Sequence, residues 1–144
     1  MKILNAKPAA AVFLILTLVG LSGCTPNYTT TDLHGKWQVT EMDADMPELS
    51  PAIIQAGEEL ALSTIYEFNT DGSSVEISNY YPEGIPGQWT FNQDSMLLYI
   101  TSTDEAIPSI GNYSVEFLSK RVIKMTQDYQ ELGQLSMTLT KRKN

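Results

Sequence analysis

From Gly35 onward, apolar and polar residues alternate along the chain with a period of two. The alternation runs through eight segments, which we place at 35–42, 63–69, 73–79, 87–92, 95–102, 111–118, 121–127 and 134–141. Apolar sets such as Trp37/Val39 and Val75/Ile77 alternate with residues that are mostly Ser, Thr, Gln, Asn or Glu. A strand that buries one face and exposes the other gives this pattern. The sequence therefore predicts an all-β domain of antiparallel strands.

Short turn sequences separate most of these segments. Residues 69–72 end in Asp-Gly, a strong hairpin signal, and 92–95, 118–121 and 130–133 supply further tight turns. Short turns join strands that are neighbours in a sheet, so we expect an eight-stranded antiparallel up-and-down barrel, which closes without leaving an edge strand. A two-sheet β-sandwich produces the same pattern and stays as the alternative.

One segment between the first two strands breaks the alternation and predicts a short helix over 52–62. Ser50 suits the N-cap and Pro51 the first helical position. The apolar residues that fall on one side are Ile53, Ile54, Ala56, Leu60 and Ala61. Gly57 weakens the helix by about 1 kcal/mol relative to alanine. We expect this helix to cover one end of the sheet.

The interior of an eight-stranded barrel is wide enough either to be filled by side chains or to hold one small ligand. The alternation places eight bulky residues inside: Trp37, Phe68, Trp89, Phe91, Tyr113, Phe117, Met125 and Met137. These residues are our candidates for the core or for the lining of a ligand pocket. The sequence leaves both readings open.

A Gly-x-Trp element opens the first strand, as Gly35-Lys36-Trp37, and recurs as Gly87-Gln88-Trp89. The stretch Leu33-His34-Gly35-Lys36-Trp37 resembles the signature of lipocalins and of the shorter lipocalin-like domains of bacterial lipoproteins. Residues 66–72 and 87–89 add to this likeness, which covers most of 32–142.

The resemblance implies that Trp37 plugs a closed barrel end and that a basic residue near the end of the last strand packs on it. Lys141 and Arg142 are the candidates for that contact. The resemblance also implies a small ligand in the barrel. The chain departs from lipocalins in three respects. We expect no C-terminal helix after the last strand, the lone cysteine forms no internal disulfide, and the helix after the first strand is more like that of the fatty-acid-binding relatives.

The first residues are typical of a secretory signal. Lys2 and Lys7 precede an apolar run over 9–21, which is shorter than the roughly 20 residues that a membrane-spanning helix needs. The following Leu21-Ser22-Gly23-Cys24 resembles the lipobox of bacterial lipoproteins. This resemblance implies cleavage before Cys24, diacylation of its thiol and usually a third acyl chain on the new amine. The alternative is an ordinary secretory cut that leaves Cys24 as a thiol.

These features divide the chain into a signal peptide at 1–23, a lipidated flexible tether at 24–32 and a barrel domain at 33–144. Two or more acyl chains make a stable membrane anchor. Thr25 stands where an aspartate would favour inner-membrane retention, which implies the outer membrane. The first acidic residue after Cys24 is Asp32, so we expect the periplasmic face, with the cell surface as the alternative.

The predicted mature chain is strongly acidic and its charges are unevenly spread. Its 121 residues carry 7 basic and 17 acidic side chains, a formal charge of −10. No Lys, Arg or His lies between Lys36 and Lys120, where 14 of the acids lie. Such a chain is unsuited to nucleic acid, and we expect an anionic lipid surface to repel the barrel. The acids maintain solubility or, alternatively, bind calcium or contact a cationic partner.

The residues needed for catalysis or metal binding are sparse. His34 is the only histidine and Cys24 the only cysteine, so the usual zinc sites and nucleophile–base pairs lack members. We expect no enzyme activity, metal or cofactor. Tyr80 and Tyr81, in the loop at 80–87, are candidates for surface contact.

The leading hypothesis is a membrane-anchored lipoprotein that binds a small apolar or amphipathic molecule in its barrel. The alternative is a structural or interaction lipoprotein whose barrel is filled. That protein would contact another protein or a glycan through its acidic surface or the 80–87 loop.

Overall fold

The computed structural model describes residues 27–107 and 111–143. The predicted signal peptide and Cys24 lie outside this range. Eight antiparallel strands close in chain order into one up-and-down barrel, which confirms the predicted fold and excludes the sandwich. The strands are β1 Gly35–Asp45, β2 Ile65–Phe68, β3 Ser73–Ile77, β4 Ile85–Asn92, β5 Leu97–Ser102, β6 Gly111–Ser119, β7 Val122–Asp128 and β8 Gln134–Lys141. The helices are α1 Thr30–Leu33 and α2 Pro51–Leu62, with a 3₁₀ turn at Gln130–Leu132.

The predicted helix and the predicted hairpin turn are confirmed. In α2 the amides of Ile53 and Ile54 donate to the carbonyl of Ser50, at 3.0 and 3.1 Å, so the helix begins at the expected residue. In the β2–β3 turn Gly72 has φ +84°, a conformation that side chains oppose, and its amide donates to the Asn69 carbonyl.

A β-bulge changes the direction of the side chains halfway along β1, which extends further than predicted. Val39 lies opposite Leu139 and Glu41 lies opposite Thr138, so one strand carries an extra residue there. Trp37 and Val39 face inward before the bulge, and the even-numbered residues face inward after it.

The side chains of β3 point the opposite way from the expectation, in which Val75 and Ile77 lie inside the barrel. Ser74 and Ser78 are buried instead, and Glu76 between them also faces inward. The outward Val75 and Ile77 are covered by the loop 78–84: a Cβ on Gly84 would lie 2.5 Å from Val75 Cγ1. The apolar set on β3 is therefore sheltered by a loop outside the barrel.

Both Gly-x-Trp tryptophans lie in one buried cluster near the end of the barrel where β1 begins. The indole N–H of Trp37 donates to the Leu33 carbonyl at 2.7 Å, and that of Trp89 donates to the Asn69 carbonyl at 3.0 Å. Phe68 lies 5.1 Å from Trp89, centroid to centroid. We call this end, with α1 and the turns 69–72, 93–96 and 120–121, the closed end. The opposite end, where α2 lies, is the open end.

The contact expected between Trp37 and a basic residue of the last strand is confirmed for Lys141. The two residues are direct partners across β1 and β8, and Lys141 Nζ lies 5.2 Å from the Trp37 ring centroid. The same ammonium donates to the Asp32 carbonyl at 2.9 Å. Lys141 therefore connects the plug of the closed end to α1.

The described part of the predicted tether is packed on the barrel from Tyr28 onward. The Tyr28 ring stacks on Phe117 with centroids 4.2 Å apart and planes 7° apart. Thr29 then begins α1, where its amide and hydroxyl both donate to the Asp32 carboxylate. These bonds lower the pKa of Asp32. Residues 28–33 thus form part of the closed end.

Candidate ligand site

A cavity of about 430 Å³ lies at the open end, beneath α2. This volume falls within the range of about 300–1,000 Å³ that is typical of small-molecule sites. Its walls come from α2, from the end of β1 with the loop after it, and from inward positions of the remaining barrel. The lining residues are Met42, Ala44, Met46, Leu49, Ile53, Ile54, Gly57, Leu60, Ala61, Thr64, Tyr66, Glu76, Tyr113, Tyr129, Leu132, Leu135 and Met137.

The β1 bulge and α2 together make this wall apolar. After the bulge, Met42 and Ala44 point into the cavity, while Asp43 between them and Asp45 after them are exposed. At the mouth, Ile53 is 57% and Leu132 is 52% exposed, although both line the cavity. Apolar side chains that remain exposed around an opening are typical of a site where another molecule binds.

Polar groups converge on one side of the cavity. Glu76 is half-buried and lies directly opposite Tyr66 across β2 and β3. The hydroxyls of Tyr66 and Tyr113 hydrogen-bond each other, and the Tyr129 hydroxyl donates to Gln127 Oε1 at 3.0 Å. Burial raises the pKa of all three tyrosines, so their hydroxyls stay protonated at neutral pH.

Among the described residues, Glu76 is the one carboxylate on the cavity wall. Burial raises the pKa of Glu76, because the surrounding apolar groups disfavour its charged form. Within 27–107 and 111–143 no basic side chain lines the cavity, and the one ion pair, Lys36 with Glu67 at 3.5 Å, lies elsewhere. The site therefore presents an acidic group, three hydroxyls and an apolar wall.

The eight residues predicted to face inward do not all line the cavity. Tyr113 and Met137 line the cavity. Five others pack in the closed half: Trp37, Phe68 and Trp89 are buried, and Phe91 and Phe117 are partly buried against them. Met125 is buried as well and does not line the cavity. The barrel is thus filled in one half and hollow in the other.

The two surface candidates lie in the loop 78–84 at the open end. Tyr80 is 74% exposed, and Tyr81 is exposed as well. Tyr80 flanks a shallow groove with Ala56 and Glu59 on the outer side of α2. The structure thus places this loop beside the covering helix.

Acidic side chains occupy the outer wall of the barrel, as the strand alternation expects. Glu41 and Asp43 on β1 face a shallow surface groove with Glu58 of α2 and Glu116 of β6. Lys124 of β7 is the base at this groove. His34, at the closed end, is half-exposed and meets the Trp89 ring edge-on at 5.6 Å.

Glu76 is the site residue that sequence reasoning missed, although a signal for it exists. Phe68 lies opposite Ser74 and Tyr66 opposite Glu76. Directly paired residues point to the same side of a sheet. Once Tyr66 and Phe68 are placed inside, the hairpin at 69–72 therefore forces Ser74 and Glu76 inside too.

Within the described ranges, no helix has the length and apolar character to cross a bilayer. The His, Asp and Glu side chains of the same residues form no group of three or more that could hold a metal ion.

Comparisons with known proteins identify no family for this chain. No protein-family profile matches it, and no curated protein sequence matches it. A crystal structure of a DUF4847 family protein from Bacteroides vulgatus ATCC 8482 is similar to this chain, with a TM-score of 0.49 and 12% sequence identity. The alignment covers 76% of this chain and 94% of that one.

Proposed function

We propose that this protein is a lipid-anchored, non-enzymatic binding protein that holds one small apolar or amphipathic molecule in the cavity under α2. The observation that carries this proposal is the cavity itself: about 430 Å³, walled mainly by apolar side chains and open at one end of a closed barrel. Met42, Met46 and Met137 line it, and flexible thioether side chains adapt to ligands of different shape.

The proposed lipid anchoring is supported by the sequence Leu21-Ser22-Gly23-Cys24. Acyl chains on Cys24 would hold the lipocalin-like barrel at the periplasmic face of the bacterial outer membrane. Tyr28, four residues after Cys24, packs at the closed end. An anchor there leaves the mouth of the cavity, at the opposite end, open to its ligand.

A substitution that fills the cavity tests the proposed ligand binding. Ala61 lines the cavity, and Ala56 on the same helix faces solvent. Titration with the fluorescent probe N-phenyl-1-naphthylamine should show binding by the native protein. Ala61→Phe should weaken that binding by about tenfold, which corresponds to about 1.4 kcal/mol. Ala56→Phe is the matched control and should leave the affinity unchanged.

Native mass spectrometry of protein extracted gently from membranes is the second measurement, and we expect a co-purifying small molecule. A native protein that binds no probe and carries no small molecule would contradict the proposal. So would equal affinities of the two phenylalanine variants, provided that circular dichroism shows both to be folded.

Metabolic labelling tests the anchoring half. Because Cys24 is the only cysteine, palmitate attached to a thiol of this chain reports on that residue alone. We expect the native protein to take up labelled palmitate and to lose its signal peptide. Cys24→Ser should take up none and should remain as an uncleaved or mislocalised precursor. Palmitate on the serine variant would contradict the proposal.

A further inference from the structure

Strand pairing places one carboxylate inside the cavity. Glu76 faces Tyr66 across the sheet and is half-buried among apolar and tyrosine side chains. An ionised carboxylate away from water is costly unless a cation or hydrogen-bond donors compensate it. In this barrel the bases lie outside the cavity.

The same wall offers two further features that suit a cation. The hydroxyl oxygens of Tyr66, Tyr113 and Tyr129 can accept hydrogen bonds from an ammonium group, which carries only donors. Their rings also attract a cation placed over the ring face. The methionine and leucine side chains on the other walls offer nothing polar.

We propose that the ligand of this cavity is an amphipathic amine, whose cationic group pairs with Glu76 while its apolar body lies against the methionine and leucine side chains. This inference rests on the proposed binding function. It narrows the ligand from apolar or amphipathic molecules in general to those with a cationic end.

A series of probes with the same alkyl chain tests the polar end alone. Isothermal titration at neutral pH would compare octylamine, octanol and octanoate. We expect octylamine to bind about tenfold more tightly than octanol, a difference of about 1.4 kcal/mol, and octanoate to bind most weakly. In Glu76→Gln the preference for the amine should disappear while octanol binding stays.

Glu83→Gln is the matched control, because it removes an exposed carboxylate from the loop 78–84 at the same end. It should keep the amine preference, which separates pairing with Glu76 from general attraction by an acidic surface. Equal binding of the three probes to the native protein, or an unchanged preference in Glu76→Gln, would overturn the inference. Failure of all three probes to bind would contradict the proposed function itself.

A second inference rests on the distribution of charge, which is independent of the cavity. Six of the seven basic residues within 27–143 gather at the closed end: Lys36, Lys120, Arg121, Lys141, Arg142 and Lys143. Hydrogen bonds connect three chain segments there, since the Arg142 amide donates to the Lys36 carbonyl and the Arg121 side-chain Nη2 donates to the Lys141 carbonyl.

The acids of this end cancel only part of the basic cluster. Glu67 is paired with Lys36, and the charge of the Asp32 carboxylate acts on Lys120 and Lys141. Asp71 and Asp94 lie on the turns of the β2–β5 side, across the barrel from the β6–β7 turn and β8.

The proposed lipid anchor reaches the protein at the same end. Tyr28, which is stacked on Phe117, follows Cys24 by four positions. Four fully extended residues span about 14 Å. Electrostatic attraction acts over about 8 Å at physiological ionic strength. A barrel held on so short a connection keeps its closed end close to the headgroups.

From this arrangement we infer that the basic closed end contacts anionic headgroups of the membrane that holds the acyl chains, with the cavity mouth turned away. The sequence-based expectation that lipid repels the barrel used the net charge. The folded chain instead separates its charges, so that the end nearest the anchor is basic.

Lipid quenching of site-specific fluorophores tests this orientation. The acylated full-length protein would be reconstituted into vesicles of phosphatidylcholine, with or without phosphatidylglycerol, that carry headgroup quenchers. A single introduced cysteine, Gln93→Cys at the closed end or Tyr80→Cys at the open end, carries the dye. With phosphatidylglycerol present, we expect severalfold stronger quenching at residue 93 than at residue 80.

The variant with Lys120→Gln, Arg142→Gln and Lys143→Gln removes exposed cations and should lose the difference between the two labels. Lys124→Gln, on the outer wall, is the control that should keep it. Equal quenching of the two labels in anionic vesicles, or no effect of the triple variant, would overturn the orientation. Protein that does not enter vesicles would overturn the anchoring on which the orientation rests.

Discussion

The closed and open halves of this barrel are made by the same eight strands, yet they differ in packing and charge. Tryptophan, phenylalanine and leucine side chains fill the closed half, and basic residues surround its outer end. The open half holds a cavity of about 430 Å³, and the side chains at its rim are acidic and apolar.

With the proposed ligand in the cavity, one small barrel would meet two demands. A well-packed core supplies stability and a single folded state, whereas a binding site needs unfilled space. Here the two demands are separated along the barrel axis. Substitutions in the two halves should therefore have different consequences.

The largest difference is expected for two matched leucine truncations. Leu98 is fully buried in the closed half, and Leu60 is 38% exposed on the cavity wall. Leu98→Ala should lower the free energy of unfolding by about 2–5 kcal/mol, because it leaves a cavity in a packed core. Leu60→Ala should cost less than about 1 kcal/mol, since it only enlarges existing space. Urea denaturation measures both, and similar costs would mean that α2 packs as tightly as the core.

The next largest effect on stability is expected at Trp37, the plug of the closed end. Trp37→Phe keeps an aromatic ring but removes the N–H that donates to the buried Leu33 carbonyl. An unsatisfied buried acceptor costs about 1–3 kcal/mol. Lys141→Met keeps the apolar stem over the ring and removes the charge, which should cost about 0.5–1 kcal/mol. If urea denaturation gives Trp37→Phe the smaller cost, the hydrogen bond is not what holds the plug.

Two glycine-to-alanine substitutions compare the space available for a side chain beside the cavity with the space available in the barrel wall. A Cβ on Gly57 would meet Met42 Cε at 3.7 Å, an ordinary contact, so Gly57→Ala should stabilise α2 by up to about 1 kcal/mol. A Cβ on Gly87 would lie 2.5 Å from the Thr101 carbonyl oxygen, so Gly87→Ala should cost about 1–3 kcal/mol. Opposite shifts in thermal unfolding are expected, and destabilisation by Gly57→Ala would contradict the space under α2.

A structural feature of this protein could be predicted from the sequence where a local pattern of residues determines it. The strands, the α2 helix and the 69–72 turn were predictable, because each has a local pattern. The cavity was not, since it depends on the bulge that turns Met42 inward and on the position of α2. The facing of β3 was predicted incorrectly, because the loop 78–84 shelters Val75 outside the barrel. The separation of charge follows from β8 returning beside β1, which the predicted closed barrel implies but the net charge does not show.

The smallest effect expected concerns Glu76 and pH. Burial raises its folded-state pKa above the ordinary value of 4.5, and the groups that face it, Tyr66, Tyr113 and Tyr129, remain neutral. Between 4.5 and the folded-state pKa, the folded protein binds more protons than the unfolded chain. Stability from this group is therefore fully present below pH 4.5 and is lost as the pH rises through the folded-state pKa.

Glu76→Gln removes this dependence. The difference in unfolding free energy between the variant and the native protein should grow in the variant's favour as the pH rises above 4.5, and then level off. Thr64→Val is the control, because it removes a polar group that does not titrate from the same wall. Urea denaturation across this pH range measures the difference. A difference that does not change with pH would mean that water solvates Glu76 fully, which would remove the basis for pairing it with a cationic ligand.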